Sequence, residues 1–188
     1  MTNNTRTGGR LINGPTVLTL LRIILVAPLM ICIFLDNLPA KVAAIIFFAV
    51  ASITDFIDGR WARSAKIVTD LGAFLDPLAD KMLINLTFLA LVVLDLIPLW
   101  MFAIILIRDF AVDGMRMMMA KSGTVISASI FGKAKTMTQM FTVIMILLNR
   151  ILNLAPLDIL CTILLYIVVA LTVFSGLDYL TNGYKKLK

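Results

Sequence analysis

The residues in this chain best suited to chemistry are aspartates. Five fall within the 26 residues from Asp55 to Asp80, DFIDGRWARSAKIVTDLGAFLDPLAD. Four of them form two pairs, Asp55/Asp58 and Asp76/Asp80, spaced i,i+3 and i,i+4, which on a helix puts both carboxylates of a pair on one face. Gly59, Gly72 and the basic residues Arg60, Arg63 and Lys66 lie between the pairs. Apolar sequence long enough to cross a membrane flanks the run on both sides, and carboxylates beside such sequence are costly enough to call for a functional explanation. Clustered carboxylate oxygens suit a hard divalent cation. Four of them on two neighbouring helix ends can hold two ions, an arrangement that can clamp a diphosphate and stabilise both oxygens of an in-line displacement. Gly59 and Ala62 allow a nucleotide close to the helix surface, and Arg63 offers phosphate a planar two-pronged contact. The donor this suggests carries a diphosphate and an apolar tail lying in the bilayer. The bland alternative, two amphipathic helix ends with acids in solvent, explains neither the glycines nor the arginine.

The elements that must position these groups follow from composition. At 188 residues the chain is expected to be one domain spanning 1–188. A hydrophobic content of 61% and a mean hydropathy of +1.01 belong to membrane proteins. The fold class expected is all-α, polytopic, with six transmembrane helices near 15–35, 41–63, 70–94, 99–120, 131–152 and, after Pro156, ending near 180. Pro77 should kink the third helix beside the aspartates. The polar start MTNNTRTGGR does not read as a cleavable signal. Cys32 and Cys161 sit in apolar runs and read as free thiols. The chain has no histidine, which excludes His-ligated zinc and phosphohistidine chemistry.

Lysine and arginine placement orients the chain. With the N-terminus inside, twelve basic residues fall on inner segments, and only Lys41 and Arg150 on outer ones. Both termini should therefore be cytoplasmic, with the net charge of +6 concentrated on the leaflet where anionic head groups and phosphorylated substrates meet it. Nucleic acid is not the expected partner. Arg22, Asp55, Asp58, Asp76, Asp80, Lys81, Asp109, Asp113 and Arg116 all converge at one depth near that leaflet, as a water-filled interfacial pocket requires.

Written as a pattern, the aspartate run is D-x2-D-G-x2-A-R-x8-G-x3-D-x3-D, which resembles without a gap the signature of the CDP-alcohol phosphatidyltransferases. The resemblance implies a CDP-diacylglycerol donor whose phosphatidyl group passes to an alcohol with release of CMP. It implies that Asp55, Asp58, Asp76 and Asp80 hold Mg2+ or Mn2+, two ions, with Asp80 also the general base. Gly59, Ala62, Arg63 and Gly72, with Asn13 in NGPTVLTLLR, would contact the CMP and diphosphate. It also implies a homodimer among membrane lipids, in a bacterial cytoplasmic membrane, with the active site at the cytoplasmic leaflet.

The acceptor must be read from the second half. RDFAVDGMR at 108–116, followed by GKAKT at 132–136, resembles those members of the family whose acceptor is sn-glycerol 3-phosphate, with Asp109 where glutamate is common. Arg108, Arg116, Lys133 and Lys135 are the candidate cations for its phosphate; inner-leaflet anchoring is their rival role. Two other readings stay open: another acceptor such as inositol phosphate or serine, and a cation transporter. The transporter would place acids near the midplane on interrupted helices, often with inverted repeats, and no repeat is visible.

Overall fold

Apolar residues recur at helical spacing through every expected segment, and six helices form: α1 (Gly14–Phe34), α2 (Leu38–Ala65), α3 (Asp70–Val93), α4 (Leu99–Lys121), α5 (Ile130–Leu152) and α6 (Ala155–Leu187). The structure, a computed structural model, describes residues 14–65, 70–121 and 130–187; within these the side chains of 14–16, 18, 55–77, 120–121 and 182–187 lie outside the description. All regular structure among the described residues is helical.

Local chemistry sets the boundaries. Asn37 caps α2, its Oδ1 accepting the Ala40 N–H at 2.8 Å, so the helix begins at Leu38, a turn before the expected 41. α3 closes in a Schellman pattern: the Leu96 N–H donates to the Leu91 carbonyl and the Asp95 N–H to that of Val92, both at 2.9 Å. Asp95 and Asn153, beyond the ends of α3 and α5, take left-handed backbone at φ 57° and 49°, which short polar side chains tolerate. α3 runs unbroken through position 77; the kink expected there falls on residues whose side chains are not described. The apolar span of α6 ends at Thr181, beside the expected 180, while the helix itself continues to Leu187. Gly183 costs about 1 kcal/mol in a helix interior, too little to end it.

α1 packs on α2 and α3, α6 packs on α5 and α4, and α2 against α5 joins the two groups, with α3 also touching α4 and α5. Ala40, Ala44 and Ala51 present small buried surfaces on α2, letting neighbouring backbones approach. Leu29 and Ile33, Phe48, Leu83 and Leu91, Ile105, and Leu147 fill the centre. The outer faces are as apolar as the core: Ile24, Ile107, Phe110 and Phe174 are each more than 60% exposed. Among the described residues, Ala155–Thr181 in α6 is long and apolar enough to cross a membrane, with mean hydropathy 2.6 over its window; Thr19–Phe34 and Leu38–Thr54 are shorter apolar stretches. Cys32 and Cys161 are free thiols, as expected.

Candidate active site

α4 carries Arg108, Asp109, Val112, Asp113 and Arg116, positions that follow one another along a single helical stripe. Opposite it stand Asp80, Lys81 and Asn85 of α3, Gly132, Lys133, Lys135, Thr136 and Gln139 of α5, and Ser52 of α2, and together they enclose a cavity of about 440 Å3. Its walls bring together eight of the residues singled out from the sequence: Asp80, Lys81, Arg108, Asp109, Asp113, Arg116, Lys133 and Lys135. Asp55, Asp58, Gly59, Ala62 and Arg63 lie on the last turns of α2, and Gly72 and Asp76 on the first turns of α3. Their side chains, and the whole of Asn13, are outside the described residues. The two helix ends are joined by only four residues, 66–69, so they stand no more than roughly 17 Å apart.

The acids of α4 hold the lysines of both neighbouring helices. Lys81 pairs with Asp113. Lys135, only 3% exposed, donates to Asp109 Oδ1 at 2.5 Å, and Arg108 Nη1 reaches the same oxygen at 3.1 Å. A buried ammonium persists only when paired in this way. The cavity thus collects five cationic side chains, Lys81, Arg108, Arg116, Lys133 and Lys135, against three carboxylates, Asp80, Asp109 and Asp113. Among the described residues, Ser52 Oγ, Asn85 Oδ1, Arg108 Nε and Gln139 Nε2 are buried without a hydrogen-bond partner. Buried polar atoms usually find partners, so these mark a place built for a polar guest or ordered water.

Sequence reasoning missed several members. Gln139, 1% exposed, lies one turn from Lys135 on the same face, a spacing that could have exposed it. Ser52 and Asn85 likewise lie about one turn from Asp55 and Lys81, a spacing that could have exposed them. Tyr179 of α6, 2% exposed, gave no signal; its hydroxyl accepts a hydrogen bond from Arg116 Nη2 at 2.6 Å. Its ring centroid lies 5.0 Å from Arg116 Cζ and 5.9 Å from Arg108 Cζ.

Residues 12–174 match the family model described as CDP-alcohol phosphatidyltransferase. The chain belongs to that family. It is a phosphatidyltransferase. It is 36% identical to the CDP-diacylglycerol--glycerol-3-phosphate 3-phosphatidyltransferase of Bacillus subtilis (strain 168), over 94% of this chain and 97% of the relative. A protein of the same description from Rickettsia felis is 35% identical over 89% of this chain and 93% of its own length. In this phosphatidyltransferase the last residue of the aspartate run, Asp80, lies in the α3 wall of the cavity, and α4 and α5 supply most of its cations.

Proposed function

We propose that the chain transfers the phosphatidyl group of CDP-diacylglycerol to sn-glycerol 3-phosphate, giving phosphatidylglycerophosphate and CMP. The names of its relatives support both substrates. The observation that carries the acceptor is the cavity where Arg108, Arg116, Lys133 and Lys135 gather beside Asp80, because a dianionic phosphate needs an excess of cations.

In this reading Asp80 accepts the proton of the acceptor hydroxyl. The freed oxygen forms a bond to the phosphorus bearing diacylglycerol. The bond from that phosphorus to the bridging oxygen breaks, and its electron pair leaves with CMP. Asp55, Asp58, Asp76 and Asp80 are the residues to hold Mg2+ or Mn2+, and an all-oxygen donor set on two helix ends tied by four residues fits a hard cation. Bound there, such ions would neutralise charge on the diphosphate. Asn13, Gly59, Ala62, Arg63 and Gly72 are assigned to the donor's CMP and diphosphate.

The setting proposed is six spans with both termini cytoplasmic, the site at the cytoplasmic leaflet, and a homodimer among membrane lipids. Exposed apolar side chains on the outer helix faces support it, since helices apolar all round are either buried or in lipid. A single cysteine at position 66, in a chain lacking Cys32 and Cys161, should be labelled only from the cytoplasmic side; labelling from outside alone overturns the topology. The function is tested by CMP release from CDP-diacylglycerol with a panel of acceptors. Glycerol 3-phosphate should support it, and inositol phosphate, serine and glycerol should not. Equal release with serine or glycerol removes the phosphate pocket from the proposal.

A further inference from the structure

We infer that Tyr179 is a positioning residue that assembles Arg108 and Arg116 into one clamp for the acceptor's phosphate. The inference rests on the acceptor reading above and adds to it the residue that makes two separate arginines act together. Eight positions apart on α4, the two rise about 12 Å from each other along the helix axis, and their like charges repel. Left to themselves they would splay toward water. The Tyr179 ring lies within reach of both, 5.0 Å from the Arg116 guanidinium carbon and 5.9 Å from that of Arg108, and its electrons attract both. Its hydroxyl takes one of the five N–H donors of Arg116 at 2.6 Å, fixing the plane of the fork while leaving the others for a ligand. At 2% exposure the ring is shielded from water, so it is a fixed surface against which the exposed Arg116 is held.

α6 shapes the other half of the clamp as well. Gly176, nearly one turn before Tyr179, lies so close to Arg108 that an added Cβ would meet its Cγ at 3.2 Å. The absent side chain lets the Arg108 stem pass against α6 on its way to Asp109.

The test is steady-state CMP release by the full-length protein in lipid–detergent micelles, with both substrates varied. Tyr179→Phe keeps the ring and removes the hydroxyl. Its KM for glycerol 3-phosphate should rise about threefold to tenfold, with kcat and the KM for CDP-diacylglycerol within about twofold. Because the hydroxyl acts through Arg116, adding Tyr179→Phe to Arg116→Ala should change the acceptor KM less than about twofold further. Equal effects in both backgrounds, or a fall in kcat at constant acceptor KM, overturns the inference. If Arg116→Ala raises the acceptor KM and Tyr179→Phe does not, only the role of Tyr179 falls. If Arg116→Ala leaves it unchanged, the acceptor reading falls and the clamp with it. Should Tyr179→Phe fail to accumulate as folded protein, Gly176→Ala replaces it, because its Cβ presses on Arg108 from the same helix. The same rise in acceptor KM is expected, and an unchanged value overturns the clamp.

Discussion

Where α5 turns into α6, Asn149 Nδ2 donates to Asp158 Oδ1 at 2.5 Å, and Asn149 Oδ1 accepts the Leu154 N–H at 3.1 Å. Nearby, Arg150 Nη1 donates to the Ile33 carbonyl at the end of α1 at 2.8 Å, and Lys41 meets Asp36 at 2.7 Å. This end of the bundle also has a cavity, of about 320 Å3, lined by Lys41, Asn149, Arg150 and Asp158. The 440 Å3 cavity at the other end differs in how its charges are used. In the turns, polar groups finish helices: they cap amides, accept at carbonyls, or pair with a neighbour. Both ends draw partners from different helices, but the site holds the buried ion pair, Lys135 with Asp109, and sets five cations against three acids in one cavity. Of the buried unpartnered side-chain atoms among the described residues, Ser52 Oγ, Asn85 Oδ1, Arg108 Nε and Gln139 Nε2 belong to residues lining the site cavity. A cavity with charges is therefore not enough to mark a site. Charge in excess of what the fold consumes is the better sign.

The largest effect separating the two ends should come from the aspartates. Asp55→Asn, Asp58→Asn and Asp76→Asn keep size but remove ligand charge, and each should lower CMP release on the order of 10³-fold or more. Excess chelator should do the same to the unaltered enzyme. Robust turnover in chelator or in Asp76→Asn sinks the metal assignment. Asp80→Asn comes next: a positioned base contributes about 10²–10⁴-fold, so turnover should fall by that factor while CDP-diacylglycerol still binds. Loss of donor binding would make Asp80 chiefly a ligand.

Lys135→Ala should be milder and more selective. Losing one charge-assisted contact costs roughly 1.5–3 kcal/mol, about a tenfold to hundredfold rise in the KM for glycerol 3-phosphate, with the donor KM little changed. Asp109 keeps Arg108 as a partner in that variant, so the pocket does not acquire an uncompensated acid. If kcat falls instead and the acceptor KM holds, Lys135 resembles the capping groups of the far end in being structural.

That contrast also explains what was legible in the sequence. The cations of 108–116 and 132–136 stood out because charge in apolar helices is rare and costly, and the cavity gathers all four. Helix ends were readable to within a few residues where Pro, Asn and Asp mark them. The apolar span of α6 was readable too, since it ends at Thr181, but the helix runs on to Leu187 because polar composition ends a span without ending a helix. Tyr179 was illegible. Its partner Arg116 is 63 positions away, and a tyrosine in an apolar run carries no spacing to read. Asn149 and Asn37 likewise reveal their roles only through the backbone groups they meet.

At the far end, Asn149→Ala should lower thermal stability by about 1 kcal/mol, since it removes two hydrogen bonds in an exposed turn. CMP release at saturating substrates should not change. A shifted acceptor KM would mean that the two ends communicate.

The smallest effect is expected at Asp36, in the turn between α1 and α2. The hydrogen bond and charge of Lys41 hold its carboxyl below the ordinary value of 3.8, and the side chain is largely in solvent. A carboxyl whose folded pKa is depressed contributes stability above its unfolded pKa and loses it as pH falls through the folded one. The pair should therefore contribute fully from neutral pH down to about 5 and fade only below 3.8, with Lys41 charged throughout. Exposed pairs are weak and screened by salt, so melting of the unaltered protein and of Asp36→Asn should differ, at low ionic strength and pH 7, only near the limit of detection. The difference should close in high salt, and again in acid. A gap that persists in high salt would show that Asp36 does more than pair with Lys41, and would weaken the distinction drawn between the two ends.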